Sequence, residues 1–280
     1  MGDGKPNPYR PYLGTLVGRK ELATEITLFQ IRLNDPAERE AFVYRPGQFA
    51  CLSAFGVGEA PFGITSVMGH GESIDFAISR VGTVTSALHA LRPGDMVGVR
   101  GPLGNGFPLE DLRGKDVVFL GGGIGGAPLR PVITTMLDRR DEYGKLTILW
   151  AARLPSLLIF TEEYEAWQRA PKTELHLTVD QAEAGWTDNV GLITRLLAQV
   201  APSPEKGVAI VCGPPIMIHF TILELKTLGF TADQIIVTLE AKMKCGIGKC
   251  GRCNIGEKYV CLHGPVFTYA EIAGVLESFL

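Results

Sequence analysis

The chain has 280 residues, with 27 Lys plus Arg against 30 Asp plus Glu, a formal net charge of −3, 46% hydrophobic and 20% charged residues. That length suggests about two domains, the apolar share excludes a disordered, highly charged polymer, and the lack of a basic excess argues against a nucleic-acid binder. No apolar run approaches the roughly 18–20 residues of a membrane span, and no secretory signal is read in the polar, Gly/Pro-rich stretch from Met1 to Pro11, so cytoplasm is the expected location.

Residues 9–110 read as short strands: Leu13–Arg19, Ile26–Leu33, Gln48–Leu52, Ser73–Ile78 and Met96–Arg100. Pro46-Gly47, the Gly69 to Gly71 run and Pro93-Gly94 punctuate them as turns. Evenly spaced short strands predict an antiparallel barrel or sandwich, interrupted by one helix over Val84–Leu91. The pattern changes near Arg113-Gly114. Strands are expected at Val117–Leu120, Leu146–Ala152, Glu174–Val179, Val208–Val211 and Ile235–Leu239. Helices are expected at Pro128–Arg140, Leu158–Arg169, Leu192–Val200 and Ile216–Leu228. Strands alternating with helices predict a parallel, Rossmann-like α/β sheet. A Cys/Gly-rich segment, Lys242 to Pro265, follows, and Tyr269–Leu280 is expected to close the chain as a helix. The boundaries read from this pattern are 9–111 for the barrel, 112–240 for the α/β domain and 241–280 for the Cys-rich segment and tail.

Of six cysteines, four cluster as Cys245, Cys250, Cys253 and Cys261, with C-x4-C-x2-C-x7-C spacing. A disulfide-stapled secreted domain would spread them through a smaller chain. Four thiolates hold a 2Fe–2S cluster, and the x4/x2 spacing matches the plant-type arrangement. Gly246, Gly248 and Gly251 remove side chains that would crowd it. Lys242, Lys244, Lys249 and Arg252 place positive charge beside an anionic cluster. The alternative is a structural zinc site, which also takes four thiolates but usually as two short pairs. His263 is a stand-in ligand or a surface histidine. Cys51 reads as a buried barrel residue.

Gly121-Gly122-Gly123-Ile124-Gly125-Gly126-Ala127-Pro128 follows a strand and opens a helix, with G-x-G-x-x-G at Gly121, Gly123 and Gly126. Glycines let backbone approach a pyrophosphate, and the helix N-terminus offers N–H donors; Pro128 fits the first turn. No Asp or Glu ends the second strand to grip a ribose. Arg153 stands there instead, either as a receiver of a 2′-phosphate, favouring NADP, or as a surface arginine. Cys212-Gly213-Pro214-Pro215 ends a later strand on the ligand-binding edge of the sheet. Cys212 there either faces the cofactor or is an ordinary core cysteine. No Ser, His or Asp sits in a nucleophile motif such as G-x-S-x-G.

Together these elements resemble the ferredoxin–NADP reductase superfamily. With the C-terminal CGIGKCGRC run, and with Asn7-Pro-Tyr-Arg and Gly264-Pro-Val-Phe-Thr-Tyr, the chain looks like the diaphorase (gamma) subunits of cytoplasmic nickel–iron hydrogenases (sulfhydrogenases). It is also similar to the electron-transfer subunits of dihydroorotate dehydrogenase and of anaerobic sulfite reductase. The resemblance covers roughly residues 9–275.

The resemblance implies an FAD site in the barrel. The first flavin motif stands as Ala60-Pro61-Phe62-Gly63-Ile64-Thr65-Ser66. Phe62 takes the place of the aromatic along the flavin, and Thr65 and Ser66 are hydrogen-bond partners for its edge or phosphate. Ala60 replaces the usual arginine, and Gly63 replaces the hydroxyl beside flavin N5. The second motif is Arg80-Val81-Gly82-Thr83-Val84-Thr85, where Gly82 to Thr85 offer donors to the pyrophosphate and Arg80 supplies the charge that Ala60 lacks. Read from residues alone, that stretch is equally an ordinary capped helix. The stacking role of a C-terminal aromatic does not transfer to Phe279; Glu240 is read either as a residue near the flavin or as a capping surface glutamate. The implied activity passes a hydride from NAD(P)H to FAD, then single electrons to the 2Fe–2S cluster and on to a partner iron–sulfur or hydrogenase-type subunit. The competing expectation is a docking or redox-sensing module whose flavin site has decayed.

Overall fold

The computed structural model describes residues 7–276, which divide into two compact units. The first unit holds residues through Glu21, Glu25–Gly106 and Glu240–Pro265; the second holds Leu22–Thr24, Phe107–Leu239 and the chain from Val266.

Unit one is made of β1 (Tyr12–Ala23), β2 (Ile26–Leu33), α1 (Pro36–Ala41), β3 (Phe49–Ala54), β4 (Gly58–Gly63), β5 (Ile74–Ser79), α2 (Thr83–Ala90) and β6 (Met96–Leu103). Its six strands form one sheet in the order β4-β3-β6-β1-β2-β5. The end strands β4 and β5 return against each other, which curls the sheet into a barrel. Leu16, Phe29, Ile31, Leu52, Phe76 and Val99 fill its interior. Two elements go beyond the sequence reading. Helix α1 starts because Asp35 Oδ1 accepts from Ala37 N at 2.8 Å with Pro36 at the first helical position. Strand β4 carries Pro61, which donates no ladder bond. As the edge strand β4 loses nothing by it.

Unit two is made of β7 (Asp116–Gly122), α3 (Gly126–Asp138), β8 (Leu146–Ala152), α4 (Tyr164–Arg169), β9 (Thr173–Val179), β10 (Asn189–Val190), α5 (Ile193–Val200), β11 (Gly207–Cys212), α6 (Pro215–Thr227) and β12 (Ile235–Thr238). Further along, β13 (Asn254–Ile255), β14 (Lys258–Tyr259) and α7 (Val260–His263) belong to unit one, while β15 (Val266–Thr268) and α8 (Tyr269–Leu276) return to unit two. The large sheet runs β10-β9-β8-β7-β11-β12-β15, parallel except for β15, which pairs antiparallel with β12. Val117–Leu120 and Val208–Val211 are buried throughout, as parallel strands covered on both faces must be. The chain leaves β7 toward β8 on one side and returns to β11 on the other. The ends of β7 and β11 therefore meet at the switch point, with Cys212 in register with Gly121.

One outcome differs from the sequence reading. The helix expected over Leu158–Arg169 begins only at Tyr164, because Phe160 sits buried with φ +59°, in the left-handed region, with the Arg130 guanidinium 5.0 Å from its ring. Glu240–Pro265, which holds most of the Cys-rich segment, groups with the barrel. Asn105 N donates to Gly264 O at 2.7 Å and Asn105 Nδ2 to His263 O at 3.0 Å. The closing helix is seen as Tyr269–Leu276; its expected continuation, with Phe279, lies outside the described residues, as do residues 1–6 of the N-terminal stretch.

Candidate functional site

The first flavin motif straddles the end of β4. Pairing with β3 sets Pro61 opposite Cys51, Phe62 opposite Ala50 and Gly63 opposite Phe49. Pro61, Phe62 and Gly63 are half-buried, and Phe62 leans on the barrel core. Ile64, Thr65 and Ser66 turn inward and are buried. Ser66 Oγ lies 2.8 Å from the Tyr44 hydroxyl and accepts from Asp75 N at 3.0 Å. That leaves a hydroxyl with little bonding capacity for a ligand. Burial, reinforced by Asp75 and opposed by the Ser66 bond, raises the Tyr44 phenol above its ordinary value.

The second motif opens α2. Thr85 Oγ1 accepts from Gly82 N at 2.8 Å and Val81 N at 3.0 Å, and donates to Gly82 O. Its hydroxyl is thus committed to the cap. What this end offers an anion is the first-turn N–H groups of Thr83 and Val84. A Cβ on Gly82 would meet nothing within 4 Å, and Val81 is 82% exposed, so the space before this terminus is open. Arg80, half exposed, sits 4.0 Å from Glu25, a long surface pair that leaves its charge available. Thr85→Ala is expected to cost about 1 kcal/mol and to loosen flavin retention, with Thr85→Ser near wild type. Thermal unfolding and the flavin-to-protein ratio after dialysis read both effects.

In unit two the glycines of the turn do separate jobs. Cβ atoms on Gly121 or Gly126 would strike the Trp150 ring, so these two let the turn lie on a buried tryptophan. A Cβ on Gly125 would stand 2.5 Å from Gly213 Cα and 2.7 Å from Cys212 O, so here backbone lies on backbone. Gly123 alone faces open space, with φ +57°, a conformation that glycine adopts freely. Ile124, half-buried, lies in the 3-10 turn Gly123–Gly125; Ala127 is buried in the first turn of α3, with Pro128 after it. Met217 fills the space against Gly122 and Gly213. Cys212 is buried and its sulfur accepts from the Thr238 hydroxyl. Pro214 caps α6, with Pro215 at its first position. Arg153 is exposed just past β8, and its guanidinium has no ion pair among the described residues.

The four cluster cysteines carry free thiols, three on the loop that follows β12 and Cys261 in α7. Among the described residues, no three or more His, Cys, Asp or Glu side chains are arranged to hold a single metal ion. Four thiolates are the ligand set of a 2Fe–2S cluster. Backbone N–H groups aim at the sulfurs: Lys249 N and Cys250 N lie 3.2 and 3.4 Å from Cys245 Sγ, and Gly248 N lies 3.2 Å from Cys261 Sγ. Burial works against ionisation of Cys245, but the N–H groups of Ile247, Cys250 and Lys249 outweigh it and bring the thiol down to about 6. Burial and the Cys253 neighbour push Cys261 up to about 12. A set of close thiols with N–H donors on the sulfurs fits an anionic iron–sulfur cluster. Cys250 alone of the four is exposed. His263 Nδ1 accepts from Tyr259 N at 2.8 Å, and its ring stacks on Tyr259.

Sequence reasoning missed Arg100 and Glu59. Arg100, 4% exposed on β6, donates from Nη1 to Cys245 O at 2.7 Å and from Nε and Nη2 to the Glu59 carboxylate at 3.1 and 2.5 Å. Cys51, buried beside them, is pushed up to about 12 by burial, with Arg100 opposing. Glu240, read as a residue near the flavin or a capping surface glutamate, is exposed just past β12.

Residues 119–222 match the oxidoreductase NAD-binding domain, and residues 240–273 the iron–sulfur cluster binding domain of dihydroorotate dehydrogenase B. The chain is 37% identical over 272 residues to the sulfhydrogenase 1 gamma subunit of Pyrococcus furiosus, covering 95% of this chain and 93% of that one. It is 34% identical over 228 residues to a probable dihydroorotate dehydrogenase B (NAD(+)) electron transfer subunit of Methanocaldococcus jannaschii, covering 81% and 80%. A solved NADH-dependent reduced ferredoxin-NADP oxidoreductase, 24% identical, superposes with a TM-score of 0.76 over 98% of this chain and 95% of that one. A ferredoxin NADP+ reductase from Neisseria gonorrhoeae with bound FAD and NADP, 19% identical, gives 0.68 over 80% and 96%. Among the described residues no helix is long and apolar enough to cross a membrane.

Proposed function

The chain belongs to the family of sulfhydrogenase gamma subunits and dihydroorotate dehydrogenase B electron-transfer subunits, within the ferredoxin–NADP reductase superfamily, and from that premise we propose that it serves a nickel–iron hydrogenase in the cytoplasm. It is an NAD(P)H-linked flavin and iron–sulfur oxidoreductase acting as an electron-transfer subunit. The observation that carries the reading is the set of four clustered cysteines, with backbone N–H groups on the Cys245 and Cys261 sulfurs, in the same unit as both flavin motifs. The greater identity and coverage of the sulfhydrogenase relative favour hydrogenase over dihydroorotate dehydrogenase.

Bound FAD and a 2Fe–2S cluster supply the conversion of a two-electron hydride into single electrons. The residues place and tune these groups. The α2 N-terminus, with Gly82, Thr83 and Val84, takes the flavin's pyrophosphate on its N–H groups, and Arg80 adds charge. Pro61, Phe62 and Gly63 present the half-buried edge for the flavin ring, with Gly63 leaving room at its reactive nitrogen. In unit two the Gly121–Gly126 turn and the start of α3 take the nucleotide diphosphate. The backbone contact of Gly125 with Gly213 holds Cys212 and Pro214 in place for the nicotinamide end. Arg153, exposed and without an ion pair among the described residues, supports a 2′-phosphate and hence NADP. Cys245, Cys250, Cys253 and Cys261 ligate the cluster.

A tagged chain isolated anaerobically from its source tests the partner. The expected complex contains nickel and reduces NAD(P)+ with hydrogen gas. A complex without nickel that oxidises dihydroorotate or reduces sulfite would replace the hydrogenase assignment.

A further inference from the structure

Among the described residues, Arg100 is the strongly buried cation against the cluster loop. Only 5% of its side chain is exposed, and it makes three bonds: two to Glu59, which precedes the first flavin motif on β4, and one to the carbonyl of Cys245, the first cluster thiol. The loop is cut to receive it. A Cβ on Gly246 would lie 3.3 Å from Arg100 Nη1 and 2.7 Å from Leu103 Cδ1. The grip is therefore tight, and it joins the cluster loop, β6 and β4 at one guanidinium. Burial opposes the charge, but the two bonds to the Glu59 carboxylate hold it, so the guanidinium stays charged.

A buried charge left exposed to so few waters is costly unless it is paired. Glu59 pairs it, but Glu59 is itself 28% exposed and so is partly screened by solvent. The field on the Cys245 side is thus that of a cation incompletely neutralised. When the cluster accepts one electron from the reduced flavin, the flavin is oxidised by one electron and the cluster gains one unit of negative charge. A fixed cation beside it stabilises that reduced form, and net charge and hydrogen bonding are the protein's levers on cluster potential.

We propose that Arg100 is a positioning residue for the iron–sulfur cluster: it fixes the Cys245 end of the loop on the barrel and raises the cluster's reduction potential, while Glu59 opposes that rise. The inference rests on the cluster assignment made above. It requires no contact between the guanidinium and the cluster, only the carbonyl bond and the charge.

The test is an anaerobic redox titration of the full cluster-loaded chain, followed by EPR of the reduced cluster. Arg100→Met should move the potential negative, by at least a tenfold change in the reduced-to-oxidised ratio at fixed poise, about 59 mV for one electron. Glu59→Gln, which keeps Arg100 and its carbonyl bond, should move it in the opposite direction. Arg100→Lys keeps the charge without the fork, so its potential should stay near wild type while iron is lost faster to a chelator. A purely structural role predicts iron loss without opposite potential shifts. Shifts of the same sign in Arg100→Met and Glu59→Gln, or none, overturn the proposal; if Arg100→Met does not fold, a Glu59→Gln potential equal to wild type does so by itself. A wild-type chain that takes up no cluster overturns the cluster assignment and this proposal with it.

Discussion

Replacing Cys253 with alanine is expected to strip the chain of its iron while leaving flavin bound. Cys253 is 2% exposed, and its loss leaves the cluster three of its four thiolates. His263, the natural substitute, has its Nδ1 bonded to Tyr259 N and does not make good the deficit. The flavin motifs lie on β4 and α2 and share no ligand with the loop. Reduction of the flavin by NAD(P)H should therefore persist. Delivery of single electrons to a protein acceptor should fall more than about 100-fold, beyond the cost of losing a supporting residue at a metal site. Because cluster binding also stabilises the folded loop, unit one should melt at lower temperature. Iron analysis, flavin spectra and acceptor kinetics on one preparation separate these effects. Retention of iron by the variant would count against the ligand assignment.

Gly125→Ala is the second large effect, and it should act on the nucleotide alone. The added methyl would meet Gly213 Cα at 2.5 Å, Cys212 O at 2.7 Å and Gly213 N at 2.7 Å. All three are backbone atoms, which cannot swing away as a side-chain tip can. Either the Gly121–Gly126 turn or the Cys212–Pro214 loop must open, at a cost of roughly 1–3 kcal/mol for an overpacked site. The expected result is a rise of more than about tenfold in the NAD(P)H KM, equivalent to about 1.4 kcal/mol of binding. Flavin and iron contents stay unchanged. Gly123→Ala is the internal control. It meets open space and carries only the left-handed strain of about 1–2 kcal/mol, with no clash between the two loops. Equal KM values for the two variants would mean that the turn matters only through its conformation.

What could be read in the sequence was what is local. The glycine turn, the C-x4-C-x2-C-x7-C run and the strand at Ile26–Leu33 each declare themselves within a short window. So does the sense of the second unit, because buried parallel strands such as Val208–Val211 are short, continuous and apolar. Helix α1 carries a legible start, Asp35-Pro36 followed by Glu38, but its six residues hold too little periodicity to announce a helix. Strand β4 is hidden by Pro61, which argues against a strand until the strand is known to be an edge. Phe160 delays the start of the expected helix because a buried ring and the Arg130–Glu163 pair outweigh local propensity. Arg100 carries no signal at all. Its carbonyl partner lies 145 residues away, and a lone arginine near the end of an apolar strand looks like a surface residue. The glycine fingerprint also hides two meanings in one pattern, since Gly121 and Gly126 serve Trp150 and only Gly123 opens onto free space.

The central claim is that one chain carries electrons from a nicotinamide nucleotide through a flavin to an iron–sulfur cluster. The most direct measurement is an anaerobic titration of the purified, FAD- and cluster-loaded chain with NADH and then NADPH, followed by absorbance and EPR, with iron analysis on the same sample. The account predicts that the flavin bands bleach with one nucleotide, that a reduced-cluster EPR signal grows in step, and that NADPH is the better donor if Arg153 holds a 2′-phosphate. A spectrum unchanged by either nucleotide, or a flavin that bleaches while the cluster stays oxidised even when a stronger reductant turns it over readily, would contradict it.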